Sequence, residues 1–343
     1  MSLDPSVAAV RLAVRRSLTI LPDGQGVHRS ADVGDTVMVA CSGGADSLAL
    51  LAATVFEVRR LRSTRVVGVV VDHALQEGSA EHTQRVVAQM ATLGVDETAS
   101  IRVTVDPGPA GREAGAREAR YAALSQLGEH FGATHVLLGH TLDDQAETVL
   151  LGLTRGSGGR SLQGMRPSYR EGRVLFARPM LRLTRAQTEA ACRAEGIEWW
   201  SDPHNVDPAF ARVRVRHSVL PVLERELGPG IAAALARTAD QVREDLEVVE
   251  GLADEAFERY CVDGSVDLDD LDDSVPLALA TRVLRRAAIE AGAIASELTR
   301  DHVLAVLGLE KRSGKEIQLP GHVTAYVEGS VLRFRPTRTA PRE

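Results

Sequence analysis

Residues 35–55 read DTVMVACSGGADSLALLAATV. Asp35 to Cys41 is a short apolar run rich in β-branched residues, the mark of a buried strand. Leu48, Leu51, Val55 and Val58 then recur at helical spacing. Between strand and helix stands Ser42-Gly43-Gly44-Ala45-Asp46-Ser47. Two glycines let the backbone come close to a ligand. Ser42 and Ser47 offer hydroxyls, and the first N–H groups of a helix favour an anion. A tight turn with a Ser or Asp N-cap would explain a lone Ser-Gly-Gly. Asp46 and Ser47 in a strand–turn–helix setting point instead to phosphate binding. No lysine follows the glycines, so this is not the lysine-bearing G-x-x-x-x-G-K loop.

The same alternation continues outward. Strands are expected at Arg65–Val71, Ile101–Val105 and His135–Gly139, with helices at Ser79–Leu93, Arg112–Phe131 and Asp143–Thr154. That order predicts an α/β fold: a twisted parallel sheet with helices on both faces. Ligands in such sheets sit beyond the carboxyl ends of the strands. Gly156–Gly164 reads as an irregular glycine-rich loop, Val174–Leu181 as a further strand and Thr184–Glu195 as a helix. Pro221, Gly228, Pro229 and Gly230 punctuate the chain. They divide it into a domain at 1–228, with 1–34 as an N-terminal extension, and a smaller, mostly helical domain at 229–343. In the second, Ile231–Tyr260 is a long amphipathic helix, followed by helices at Pro276–Glu290 and Thr299–Leu307. The end alternates in hydrophobicity and predicts a terminal β-hairpin turning at Gly329-Ser330.

Composition sets limits. A chain of 343 residues allows about two domains. At 44% hydrophobic and 25% charged it is built to fold rather than to stay disordered. The longest apolar runs, such as Leu48–Phe56, are far too short to span a membrane, and no leader pattern is read, so a cytoplasmic protein is expected. Cys41, Cys192 and Cys261 stand apart, which argues against a disulfide framework, a Cys-rich zinc site or a cluster. A net charge of −7 taken alone would exclude nucleic acid. The charge is uneven, however. Residues 155–225 hold 13 arginines against 7 acids, whereas residues 240–273 hold 14 acids against 2 arginines.

A second group of residues carries chemistry. Asp143, Asp144 and Glu147 open a helix, and spacings of three and four put pairs of them on one face. Acids at a helix N-terminus complement its dipole. Three acids beside His140 and Gln145 exceed what the dipole requires and mark a candidate site. His73 ends the second strand, at the ligand-binding edge. Trp199-Trp200 could form a stacking platform, but adjacent residues do not share a face, so packing is expected of at least one.

These motifs resemble a known family. The loop SGGADS at 42–47 looks like that of N-type ATP pyrophosphatases, which split ATP between the α- and β-phosphates. The run LGHTLDDQAET at 138–148 resembles the signature of tRNA(Ile)-lysidine synthetases, and the match continues through Gly164 and Met165. VDHAL at 71–75, EARY at 118–121, DPHN at 202–205 and FARVRVR at 210–216 are similar to further segments of that family. The resemblance is dense over residues 36–225. Thr141 stands where the family commonly has a second His, and Val213 where it commonly has Asn.

The resemblance implies an adenine-nucleotide α-hydrolase-like fold and a ligase. The wobble cytidine of tRNA(Ile) with a CAU anticodon is adenylated at O2, and free L-lysine then displaces AMP. Ser42, Gly43, Gly44, Asp46, Ser47 and His73 are expected on ATP, with Mg²⁺ near Asp46. Asp143, Asp144 and Glu147 are expected around the lysine. Catalytic roles fall to Asp46, Arg120, His140, Asp144, Glu147 and Arg212. Arg214 and Arg216 are assigned to tRNA, although on a helix Arg212 and Arg216 would share a face that Arg214 does not. The C-terminal domain would grip the tRNA, with the acidic 240–273 stretch facing away from it. The oligomeric state stays open, a homodimer included. Two other readings stand beside this one. A tRNA thiolase would use the same loop but needs paired cysteines. A non-catalytic nucleotide- or RNA-binding protein would not need the acids and arginines.

Overall fold

The predicted first strand lies in the middle of a sheet. A computed structural model describes residues 3–19, 35–61, 64–74, 78–105, 111–156, 158–200, 207–272, 275–309 and 314–337. The chain folds as two compact units: residues 1–154 with 164–239, and residues 155–163 with 240–343.

The first unit contains, in order, α1 (Pro5–Thr19), β1 (Thr36–Ala40), α2 (Ala45–Val58), β2 (Arg65–Asp72), α3 (Ser79–Thr92), β3 (Glu97–Arg102), α4 (Arg112–His130), β4 (Ala133–Leu138) and α5 (Leu142–Leu153). After the short α6 (Gly159–Leu162), which belongs to the second unit, come β5 (Ser168–Glu171), β6 (Val174–Ala177) and α7 (Arg185–Ala194). Next are α8 (Ala211–Arg214), a π-helical turn at Val215–Val219, and α9 (Leu220–Leu227). The sheet order is β3-β2-β1-β4-β6-β5. Every neighbouring pair is parallel except β5–β6. The connections reverse direction at β1, so the turn after β1 sits at the switch point where such sheets bind ligands.

Both sheet faces are covered, as predicted. Val37 and Val39 of β1 and Val66 and Val70 of β2 pack with α1, α2, α3 and α7. Met38, Val67 and Val69 point the other way and pack with Leu124 of α4. Period-two alternation between two buried layers explains why these strands read as unbroken apolar runs. Gly68 gives Met90 of α3 its place: a Cβ there would lie 2.7 Å from the Met90 sulfur.

The structure moves several expected elements. The third strand is Glu97–Arg102, not Ile101–Val105. It is an edge strand, so it buries little and carries polar residues that hide its period. The strand at 174 ends at Ala177 rather than Leu181, and the 156–164 segment includes α6. Within the N-terminal extension, α1 is part of the core through Val7, Val10, Val14 and Leu18.

The helix α10 (Ile231–Tyr260) has the predicted bounds. It begins in the first unit and continues in the second. There follow β7 (Cys261–Val262), β8 (Ser265–Asp267), α11 (Leu268–Asp272), α12 (Leu277–Glu290), α13 (Arg300–Leu307), β9 (Glu316–Leu319), β10 (Val323–Glu328) and β11 (Val331–Pro336). The terminal hairpin β10–β11 belongs to a five-stranded antiparallel sheet, β7-β8-β11-β10-β9. Strands of two and three residues, such as β7 and β8, are too short for a period to show. Glu250 of α10 accepts hydrogen bonds from Arg160 and Arg282, so part of the acidic stretch is neutralised within this unit.

Candidate active site

The turn after β1 is organised by its own side chains. The Ser42 N–H donates to Ser47 Oγ at 3.1 Å, and Ser47 Oγ donates to the Gly44 carbonyl at 2.9 Å. Gly44 is the N-cap of α2 and offers no side-chain acceptor, which leaves the helix start to an anion. Gly43 has φ +81°, and a Cβ there would lie 2.7 Å from Val86 of α3. Both facts require glycine.

Two residues outside the motif hold the turn. His82 Nε2 donates to the Ser42 carbonyl at 3.0 Å, and the Trp200 N–H donates to the Gly43 carbonyl at 3.0 Å. The two rings pack with centroids 3.9 Å apart and their planes tilted by 36°. In a trans peptide the carbonyl and the N–H point in opposite directions. Anchoring these carbonyls turns the Gly43 and Gly44 N–H groups the other way, as a cradle for phosphate requires. Trp199, by contrast, packs against the core.

The acid group lies beside this turn. Gly139 follows β4, and a Cβ on it would come 3.1 Å from the backbone N and Cα of Ser47. The end of β4 and the first turn of α2 therefore meet backbone to backbone. Thr141 caps α5: its N–H and its hydroxyl both donate to Asp144 Oδ2, at 2.8 and 3.0 Å. This gives a local reason for Thr at the position where a His is common. The second oxygen of Asp144 accepts from Arg185 at 3.1 Å and from Arg216 at 3.4 Å. Capping and ion pairing thus fall on separate oxygens of one carboxylate. Glu147 is fully buried and accepts both Nε and Nη2 of Arg216, at 2.6 and 3.0 Å. Arg212 Nε lies 3.2 Å from Oε2 of the same carboxylate, and Arg212 also donates to Thr148 Oγ1.

Helical spacing placed Arg212 and Arg216 on one face, and both reach Glu147. Arg214 points elsewhere and donates to the Pro208 and Ala209 carbonyls. Asp143 parts from the other two acids: its Oδ2 accepts the Arg185 N–H at 2.8 Å, at the start of α7. Gln145 is structural, since its amide both donates to and accepts from the Met165 backbone.

Arg185 links the two groups. It donates to Asp46 at 3.4 Å and to Asp144 at 3.1 Å, and it lies 3.9 Å from Glu147. Thr188, also on α7, donates to the other oxygen of Asp46. Burial pushes Asp46 up, and Thr188 and Arg185 offset this only in part. Burial also works to raise Asp144, but Arg185, with the hydrogen bond from the Thr141 N–H, outweighs it and holds Asp144 below the usual carboxylate range. Arg185 itself is raised, because Asp144, Asp46, Glu147 and Asp143 outweigh burial.

Cations and histidines form the remaining side. Burial, with Arg120 next in weight, holds His140 well below the ordinary histidine value, so it is neutral near pH 7. His73 is lowered by the same two causes. His73 Nδ1, His140 Nδ1 and Arg120 Nε are buried and have no hydrogen-bond partner in the chain. Buried polar atoms are nearly always paired, so three orphans together mark a place for a polar ligand. Arg178 stands directly after β6 and donates to Tyr121 Oη at 3.0 Å. Arg117 is exposed.

Among the described residues no three His, Cys, Asp or Glu side chains gather as a metal cage. Mg²⁺ bound through substrate phosphates needs only one or two carboxylates, and Asp46 fits that smaller requirement.

Sequence reading missed Arg185, Arg178, His82 and Trp200 as site residues. Arg178 could have been found from its place after a strand. Arg185 is 139 residues from Asp46, and no local signal joins them. The segment Asp202–Asn205 and Leu75 lie outside the described residues.

A family model described as a PP-loop domain matches residues 24–223. A protein of Thermobifida fusca named tRNA(Ile)-lysidine synthase is 50% identical over 320 residues, covering 92% of this chain and 94% of that one. A protein of the same name from Salinispora arenicola is 47% identical over 337 residues, covering 97% and 95%. Among solved structures, a U34-tRNA thiolase from Methanococcus maripaludis matches with a TM-score of 0.57 and 15% identity, over 70% of this chain and 80% of that one. At that identity the likeness is one of fold.

Proposed function

This chain belongs to the tRNA(Ile)-lysidine synthase family of PP-loop proteins, and we propose that it uses ATP and free L-lysine to convert the wobble cytidine of tRNA(Ile) to lysidine. One observation carries the reading. The phosphate-type turn and the acid group meet on a single side chain, Arg185, which touches both Asp46 and Asp144. Nucleotide activation and amine attack would then share one cavity edge.

The N–H groups of Gly43 and Gly44, with Ser42 and Ser47, would hold the leaving phosphates. Cytidine O2 attacks the α-phosphorus, and pyrophosphate departs. Arg120, with its unpartnered Nε, and Arg212 would face the charge that builds on the phosphoryl group. Asp46 would hold Mg²⁺ carried on the phosphates, which would neutralise charge there. The lysine amine then attacks C2, and AMP leaves with the O2 atom.

Asp144 is better placed than Glu147 to receive the amine proton. Both oxygens of Glu147 are engaged by Arg216, whereas Asp144 Oδ1 faces longer contacts. While Arg185 pairs with it, Asp144 is a weak base; freeing it would strengthen it. Neutral His140 and His73 would offer ring nitrogens to nucleotide or base.

Arg155, Arg166, Arg170 and Arg173 are exposed and would meet tRNA phosphates, with the C-terminal unit as a second grip. No helix among the described residues is long and apolar enough to cross a membrane. Action on tRNA would fit a protein of the cytoplasm. Thiolation has less support. Burial pushes the Cys41 and Cys192 thiols up to about 12, which makes both poor sulfur carriers.

The test is direct. The protein is incubated with ATP, lysine and unmodified tRNA(Ile). Lysine-dependent AMP release and a matching mass gain on the tRNA are expected. An ATP-binding preparation that incorporates no lysine would overturn the reading.

A further inference from the structure

We infer that Arg185 is a positioning residue that makes ATP binding and lysine binding interdependent. The inference rests on the reading that Asp144 and Glu147 receive the lysine amine.

One guanidinium serves acids from two sites: Asp46 beside the phosphate turn, and Asp144 and Glu147 on α5. The main chain beneath it is fixed. Its N–H is held by Asp143, and Thr188, three residues on, is held by Asp46. The side chain itself is about a quarter exposed and ends a flexible stem, so it can reorient while α7 stays in place.

Competition follows from charge. A lysine ammonium arriving at Asp144 Oδ1 meets the position that Arg185 already fills. Phosphates in the turn place negative charge beside Asp46, which draws Arg185 toward them and away from Asp144. Nucleotide then releases the acid that lysine needs. By linkage, lysine tightens nucleotide by the same factor. A purely structural ion pair predicts no such exchange.

Calorimetry with an ATP analogue uncleavable between the α- and β-phosphates tests this. In the wild-type protein, lysine should bind about tenfold more tightly with the analogue than without it, within the usual range of coupling. Arg185→Met keeps the N–H bond to Asp143 but removes the charge. It should bind lysine about tenfold more tightly than wild type when the analogue is absent. It should bind the analogue more weakly, and its coupling factor should fall to near one. Arg185→Lys keeps the charge without a fork able to span both acids. It should bring the coupling below threefold, and it decides the question if Arg185→Met does not fold. Arg185→Met with wild-type coupling, or with lysine binding lost in both states, overturns the inference alone. So does wild-type lysine binding that ignores the analogue. Wild-type protein that binds no lysine in either state overturns the parent reading as well.

Discussion

Arg216 donates to both oxygens of Glu147, and Glu147 has no exposed surface. A carboxylate so buried depends on its partner, because an unpaired charge away from water is costly. Arg216→Ala is expected to lower the unfolding free energy by about 3 kcal/mol, the low end for a broken buried pair, since Arg212 remains. Urea unfolding measures it. Combining Arg216→Ala with Glu147→Gln should cost less than the two losses added together. Additive losses would mean that the pair is not coupled.

The phosphate turn gives a contrast between neighbours. Gly43→Ala meets both a positive φ and Val86 at 2.7 Å, whereas at Gly44 the nearest atom to a Cβ is Ser42 Oγ at 3.6 Å. Gly43→Ala should cost about 1–3 kcal/mol of stability and most of the ATP affinity. Gly44→Ala should be the milder change in both. Equal losses in equilibrium binding and thermal unfolding would refute the strain argument.

His140, His73 and His135 are all held below the ordinary value of 6.5, chiefly by burial. Between that depressed value and 6.5 the unfolded chain binds a proton that the native chain does not. Stability is therefore fully present above about pH 6.5 and falls as the pH drops toward the folded-state value. Asp46, pushed up by burial, acts in the opposite sense, so the histidine contribution is read as the difference in slope between wild type and one variant. His140→Gln should flatten the loss in urea midpoint between pH 7.5 and 5.5. An unchanged slope would show that His140 does not contribute to it.

Arg170 and Arg173 are exposed at the β5–β6 hairpin, and Glu244 and Glu255 are exposed on α10. Replacing each arginine by Ala should weaken tRNA binding and reduce the salt dependence by about one unit of slope. Glu244→Gln and Glu255→Gln should leave affinity unchanged or raise it. If the glutamine variants bind more weakly, the acidic stretch does not face away from the tRNA.

Much of the fold could be read from the chain because β1, β2 and β4 are buried on both faces and so are mostly apolar. The edge strand β3 and the short β7 and β8 could not, since little of each is buried. The phosphate turn and the acids of α5 were legible because each group is contiguous in sequence. Arg185, His82 and Trp200 join the site only through tertiary packing. The basic 155–225 stretch was misleading in part. Arg185, Arg212 and Arg216 are spent on the protein's own acids, so local charge overstated what is left for RNA.

Gly139 presses the end of β4 against the backbone of Ser47, with no side chain between them. The phosphate turn and the acids of α5 therefore stand on one wall without a hinge, and the span between them is set by main chain. A wall of fixed span keeps its two ends in register. A reagent held at the turn and another held at the acids would meet at a separation that side-chain motion does not alter.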